Sequence, residues 1–554
     1  MRASRSTHAS AAQRSSIQLH SKRVGQVDCR SKAFLDRLLP SVRDNFETIW
    51  RRLHNPGTPP PTIDVPISHE LSVADADKLV ADGHAELVTD EMRKQFPDRG
   101  HIRCFSVVEY KPDGPRRRAI GHPADVNDYL RQRDARSGTN VAMQPPMTKV
   151  SDYVNVFESH NKTEPTFGMT FDGTVAFWQV QLDKPAWALQ RYRDESGRLF
   201  QFKKLLMGHV DSVKLMQIIV ANVAGHKSVV HGNYATKAPI CHVWVDGFRY
   251  AGTKQQLTAA GKQVLEVAKF FNFTMKETEA IIQSIYDFIG MLFQHHATKS
   301  GLGVVRLSDK TRDKIRGTVI SNQMPAGNVE RLLGQLIFGS AVCQVPLATF
   351  WRAMKYARFI CNQLNRGIVD TNTIVEVPPQ AQRDMSIWAA KVTENSSVFV
   401  ARTGPKQGIL FVDATLTGFG IVLVMHDNQL LINGGKFDSD PTKIIADREA
   451  EAAAIAFRCF ERHLKMLDNV QLYIDNTVAE YSFKKGNAKS EHVAAAVAEV
   501  LNKTRGWNLT VAPLRVTSED NPADEPSRDA PVSMEKVRAA VQRAWASQAT
   551  GNRS

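Results

Sequence analysis

At 554 residues, and at about 150 residues per domain, the chain is expected to hold three to four domains and not one compact unit. Its 42% hydrophobic and 23% charged residues exclude a wholly disordered protein, and 71 Lys and Arg against 57 Asp and Glu leave +14, which favours a polyanionic partner such as nucleic acid over an acidic small substrate. Six cysteines without a CxxC pair argue against a zinc ribbon, a redox motif or a secreted disulfide framework. With no apolar run of the ~18 residues a membrane span needs, the chain reads as soluble in a reducing compartment.

Residues 1–30 read as a disordered basic arm. Arg2, Arg5, Arg14, Lys22 and Arg23 fall among serines, and no acidic residue precedes Asp28. Such an arm suits contact with nucleic acid or, as the alternative, organellar targeting. Residues 31–70 form a helix and a Pro-rich linker, with Pro40 interrupting the helical spacing of 33–54 and NPGTPPPT following at 55–62. A helical pattern from Ser72 to Glu86 leads to a strand at 101–110, a Pro112-Asp113-Gly114 turn and the basic run Arg116 to Arg118, together a hairpin with a positive tip. Strands and helices alternate from Phe167 to Gly290, a mostly helical stretch covers 309–390, and a second α/β unit begins near Gly408.

The segment FGMTFDGTVAFWQVQL at 167–182 puts Asp172 at a strand end, and ICHVWVDGFRYAG at 240–252 puts Asp246 in a hairpin turn. Two carboxylates carried on adjacent strands can bind Mg²⁺ ions about 3.5 to 4 Å apart and clamp the oxygens of a phosphoryl transfer. The order of motifs resembles a reverse transcriptase. Asp172 with Ala176-Phe177 resembles the first palm motif; Leu205-Leu206-Met207-Gly208 through Gln217 is similar to the nucleotide-site motif; Trp244-Val245-Asp246-Gly247 stands where Tyr-x-Asp-Asp is found; and Phe288-Ile289-Gly290 resembles the primer-grip hairpin. The resemblance implies that Lys111 and Arg118 meet the incoming triphosphate, that Asn127 closes that fingers motif, and that Phe177 excludes a 2′-hydroxyl. Met207, Gly208 and Gln217 would complete the nucleotide site. Two departures stand out: Leu206 replaces a proline, and Gly247 replaces the second aspartate of the pair.

In the second unit, the strand at 408–413 ends in Asp413, the helical segment REAEAAAIAFRCF carries Glu449, and the strand VQLYID ends in Asp475. A Pro-rich turn, SEDNPADEPSR at 518–528, supplies Asp524, so four acids can converge on one sheet edge. Asp447 and Glu451 read as the exposed face of that helix. This pattern resembles retroelement ribonuclease H, which implies that Asp413, Glu449, Asp475 and Asp524 are metal ligands. Asn476 and Thr477 shape the strand end.

The whole chain therefore resembles a right-hand polymerase (fingers, palm and thumb) followed by an α/β ribonuclease H-like domain, an α+β multidomain protein. Fingers and palm are expected over 71–308, a thumb or connection with Lys310, Lys314 and Arg316 on a duplex-tracking helix over 309–390, the nuclease domain over 391–535 and a basic tail over 536–554. The motif forms look most like DIRS-like and VIPER-like tyrosine-recombinase retrotransposons. The implied cofactor is Mg²⁺, with Mn²⁺ as alternative, two ions per active site. The implied partners are RNA template, DNA primer, RNA/DNA hybrid and dNTP, with an element-encoded recombinase and Gag-like proteins; no membrane partner is expected, and the compartment is cytoplasmic or nuclear. The alternative function is a degenerate polymerase, marked by Gly247, that binds nucleic acid with or without ribonuclease H activity.

Overall fold

The computed structural model describes residues 17–57, 71–98, 101–111, 114–139, 141–154, 166–295, 303–394, 398–399, 406–507 and 509–551. They belong to two compact units, one of residues 1–149 and 161–289, the other of 150–160 and 290–554. The boundary falls at Ile289-Gly290, where both residues have positive φ in a tight turn. The 1–16 part of the arm and the Pro-rich stretch 58–70 lie outside the described residues. No described helix is long and apolar enough to cross a membrane.

In the first unit, helix α1 (Pro40–His54) begins at Pro40, whose missing N–H suits a first turn, so the proline opens the helix and does not interrupt it. Val42, Phe46, Ile49, Trp50 and Leu53 form its buried face. Strands β1 (Arg103–Lys111) and β2 (Gly114–His122) make the expected hairpin, followed by α2 (Ala124–Ser137). The central sheet has β3 (Thr166–Asp172) at one edge. Helix α3 (Ser212–Val223) comes next, then β4 (Ile240–Trp244) and β5 (Gly247–Thr253), with β5 between the other two and all pairs antiparallel. Helix α3 and α4 (Lys254–Phe270) pack on this sheet. Buried Arg52 ties α1 to the rest, donating to Asp211 before α3 and to Asp134 of α2, each at 2.7 Å.

Residues 17–30, expected to lack order, instead bury Leu19, Val27 and Cys29 in the core of this unit, with bridges from Leu19 to Arg117 and from Val27 to Val180. Charge averaged over the arm hides these few apolar side chains, which are enough to hold the segment.

In the second unit, two paired strands at Met291–Gln294 and Val304–Leu307 precede α5 (Asp309–Arg316) and a helical group of α6 (Ala326–Cys343), α7 (Trp351–Asn365) and α8 (Pro379–Thr393) around fully buried Trp388, whose Nε1 donates to Ser340 Oγ at 2.6 Å. On α5, Lys310 and Lys314 are exposed, while Arg316 donates to the Thr393 carbonyl at 2.9 Å. Strands β6 (Gln407–Ala414), β7 (Gly418–Val424) and β8 (Leu430–Lys436) form an antiparallel meander. After α9 (Ile445–Cys459), β9 (Asn469–Ile474) pairs parallel to β6. Helices α10 (Thr477–Lys485) and α11 (Glu491–Trp507) then lead to β10 (Thr510–Arg515), parallel to β9, for a sheet order β8-β7-β6-β9-β10.

Alternation decides the faces of this sheet. Leu410 and Val412 pack with the alanines of α9 and with α11 on one side; Ile409 and Phe411 pack on the other. After the short helix α12 (Asp524–Ser527), the residues expected as a basic tail form α13 (Met534–Gly551), whose Val537, Ala540 and Ala544 cover that second face. The α+β architecture, with an α/β unit on a mixed five-stranded sheet at its C-terminal end, is the class expected from the sequence.

Candidate active sites

In the second unit, β6 and β9 run side by side, with Val412 paired to Ile474. The next residues, Asp413 and Asp475, therefore emerge together at one end of the sheet. Glu449 reaches them from α9, whose small residues Ala450, Ala452, Ala453 and Ala456 let the helix approach the strands. Asp413, Glu449 and Asp475 each offer an oxygen within 4.8 Å of the others, the only such trio of acidic, His or Cys side chains among the described residues. Asp413 and Glu449 are 3% and 2% exposed. Burial, then the neighbouring carboxylates, hold both in the neutral form to unusually high pH: Asp413 is pushed up to about 7, with Ser527 opposing, and Glu449 to about 10. Glu449 Oε1 accepts from Ala414 N at 3.3 Å, whereas buried Oε2 meets no donor among the described residues.

These groups line a cleft of about 410 Å³ that Asn476, Asp524 and Arg528 also reach. Asp524, expected as a fourth ligand, stands at the cleft with its Oδ1 accepting from Arg528 Nη2 at 3.0 Å, outside the close trio. Asn476 accepts from Val478 N and Ala479 N at 3.0 and 3.1 Å, capping α10, which fits its expected shaping role. Asp447 departs from the expected exposed face. It is 4% exposed and accepts from Ile444 N and Ser490 Oγ, while Glu451 pairs with Lys443 and Arg448. Asp447 sits in the first turn, where a carboxylate answers unpaired backbone N–H groups, a role that periodicity does not reveal. Ser518, Asn521, Ser527 and Arg528 were not singled out from sequence. Their residues stood in the quoted 518–528 motif, but their partners lie up to 114 positions away.

In the first unit, Asp172 pairs with Gly247 across β3 and β5, and Val245-Asp246 forms the two-residue turn closed by Trp244 and Gly247. Gly173 N donates to Asp246 O at 2.9 Å, so the two aspartates are neighbours. Burial and the charge of Asp172 push Asp246 up to about 6, with Arg118 and Lys276 pulling the other way. Val245 takes φ 56°, a strained choice for a β-branched residue. Gln217 steadies it: its Oε1 accepts from Val245 N at 2.6 Å and its Nε2 donates to Val243 O at 3.0 Å. Gln217 is thus fully buried and committed to the turn, where the resemblance implied contact with nucleotide.

Asn127 fastens the 208–210 backbone, donating to Gly208 O and accepting from Val210 N, both at 2.8 Å. Gly208 lies so close to β2 that a Cβ would stand 2.5 Å from Gly121 O; adjacent Met207 is 41% exposed. Phe177, in a 3-10 turn at Ala176–Gln179, is 7% exposed within the core. Arg118 is half-buried on β2, and Lys111 ends β1 opposite Gly114, its side chain falling outside the described residues. Lys276, unremarked in the sequence, forms an ion pair with Asp172 Oδ2, and its backbone N donates to Asp172 O at 2.9 Å. Asp172 N donates to Glu277 Oε2 at 2.8 Å.

No protein-family model matches the chain, and no curated protein matches it. Among solved structures it is similar to the foamy viral protease-reverse transcriptase dRH in complex with double-stranded DNA, at 12% identity and TM-score 0.45, over 90% of this chain and 83% of that one. It is also similar to the foamy viral protease-reverse transcriptase with double-stranded DNA (12% identity, TM-score 0.44, 88% and 96% covered) and with RNA/DNA hybrid (11% identity, TM-score 0.43, 87% and 62% covered).

Proposed function

We propose that the C-terminal domain is a ribonuclease H that cuts the RNA strand of an RNA/DNA hybrid, within a reverse transcriptase of a retroelement of DIRS-like or VIPER-like type. The observation that carries this reading is the trio Asp413, Glu449 and Asp475, brought from two strands and a helix to within 4.8 Å, two of them buried. Like charges gathered in low dielectric oppose folding, and an oxygen-only donor set with the unpartnered Glu449 Oε2 suits a hard cation such as Mg²⁺ or Mn²⁺. Two divalent ions held there supply activation of water and neutralisation of the leaving 3′-oxygen. The protein itself fixes the ligand oxygens, and Arg528 at the cleft presents a permanent positive charge to the backbone phosphate of the hybrid.

In the same reading the N-terminal unit extends a DNA primer on an RNA template. Asp172 and Asp246 are its metal ligands, Phe177 and the 207–208 backbone shape the nucleotide site, and Arg118 and Lys111 face the triphosphate. A second reading, a palm that holds nucleic acid without polymerising, is favoured by Gly247 and by the ion pair that Lys276 makes with one of the two remaining carboxylates. Cleavage of a labelled RNA/DNA hybrid tests the nuclease. Asp475→Asn is expected to abolish cutting while hybrid binding stays within about twofold, because a carboxylate ligand is lost and the phosphate-binding surface is not. Undiminished cutting by that variant overturns the assignment. Extension of a primer by wild type, compared with Asp172→Asn, separates the two readings of the palm.

A further inference from the structure

Three glycines strip one patch of the C-terminal sheet of side chains where Asn521–Ser527 crosses it. On β7, a Cβ at Gly418 would stand 2.4 Å from Ser527 O, and one at Gly420 would stand 2.0 Å from Ala523 O; on β8, one at Gly434 would stand 2.7 Å from Pro526 O. The segment therefore lies backbone against backbone on the sheet, which brings two side chains to Asp413. Asn521 Nδ2 donates to Val412 O at 2.9 Å and lies 3.4 Å from Asp413 Oδ1. Ser527 Oγ has two acceptors in reach of its single proton, Asp413 Oδ2 at 2.6 Å and Asp524 O at 2.8 Å, and the carboxylate oxygen is the stronger acceptor once Asp413 ionises. Ser527 and Asn521 are 4% and 0% exposed, so both donors are buried behind the cleft that Asp413 lines.

We propose that Ser527, backed by Asn521, is a positioning residue of the nuclease site: it holds the Asp413 carboxylate toward Glu449 and Asp475 and thereby sets the affinity of the trio for divalent cation. This rests on reading the domain as a metal-dependent nuclease. An untethered Asp413, once ionised to receive a cation, would be turned away from its neighbours by the charge of Asp475. A donor of one short hydrogen bond opposes that rotation and keeps the oxygens gathered before an ion arrives. Losing such an outer partner typically weakens metal binding or activity by about 10- to 100-fold.

The test is an Mg²⁺ titration of the full chain and of Ser527→Ala, Ser527→Thr and Ser527→Cys, read by hybrid cleavage and by thermal unfolding. Ser527→Ala is expected to raise the half-saturating Mg²⁺ concentration about 10- to 100-fold in both readouts. At saturating Mg²⁺ its kcat should return to within a few-fold of wild type and its KM for hybrid should be unchanged. Ser527→Thr, which keeps the hydroxyl, should restore the wild-type midpoint. Should Ser527→Ala fail to fold, Ser527→Cys, a weaker donor of similar size, must show a raised midpoint. Wild-type cleavage with an unshifted midpoint in the Ala or Cys variant overturns this proposal alone, as does a loss of rate that no Mg²⁺ concentration repairs. A wild-type protein that neither cuts hybrid nor is stabilised by Mg²⁺ overturns the nuclease reading and this proposal with it.

Discussion

A Cβ at Gly247 would stand 3.8 Å from Asp172 Oδ1 and 3.7 Å from both the Phe288 ring and the Phe171 carbonyl, ordinary contact distances. The site around Asp172 and Asp246 therefore has room for a further carboxylate at 247, and Lys276 already neutralises part of the charge there. Gly247→Asp combined with Lys276→Gln is expected to raise primer extension about tenfold or more, equivalent to about 1.4 kcal/mol of transition-state stabilisation. Its metal-free unfolding free energy should fall by about 1 kcal/mol, because a third carboxylate joins two others and Lys276 no longer offsets them. Extension assays with Mn²⁺ and denaturant melts check the two parts. In the C-terminal acidic cluster, Glu449→Gln removes a buried acid from beside two others. The metal-free protein should gain about 0.5 to 2 kcal/mol while Mg²⁺-dependent stabilisation disappears, as read by melts in chelator and in Mg²⁺. The placement of Asp172, Asp413 and Asp475 at strand ends, of Asp246 in a hairpin turn and of Glu449 on a helix was legible in the sequence pattern around each. Lys276 and Ser527 were not, since their importance lies in partners 104 and 114 residues away.

Among the elements, the strands flanking both sites follow the apolar alternation of 167–172 and 408–413, and α9 follows its run of alanines. Helix α13 shows where composition misleads. Its basic residues suggest a tail, yet Val537, Ala540 and Ala544 recur at helical spacing and fill the face left by Ile409, Phe411, Val422 and Val424. Ala540→Asp should accordingly cost about 3 kcal/mol or more by burying an unpaired charge, lowering the denaturant midpoint of the second unit, whereas a substitution in a solvated tail would leave it unmoved. Segment 17–30 teaches the same lesson: a few apolar side chains decide its placement, and charge density does not.

Over the whole molecule, the sequence pattern conveyed two successive α/β parts separated by a mostly helical stretch. Their grouping needed tertiary contacts: Ala348, in the 3-10 turn before α7, sits in the core beneath the C-terminal sheet and its N donates to Gly486 O at 2.9 Å, so the helical stretch and that sheet belong to one unit. The first unit carries an acid sensitivity of its own. Burial pushes His84, His209 and His226 each down to about 4 and lowers His242 as well. Unfolded histidines bind protons below about pH 6.5 while these remain neutral in the fold, so the stability they allow is complete above that pH and is lost as the pH falls toward 4. Unfolding followed from pH 8 to 4 should show the first unit weakening through that window, while added Mg²⁺ raises the transition of the second. The bare patch formed by Gly418, Gly420 and Gly434 has a consequence for anyone breeding a hardier variant. Because main chain rests on main chain there, no neighbouring residue can shrink to admit a newcomer, so libraries randomised at those three positions would return glycine almost alone, and tolerance to heat would have to be sought elsewhere in the molecule.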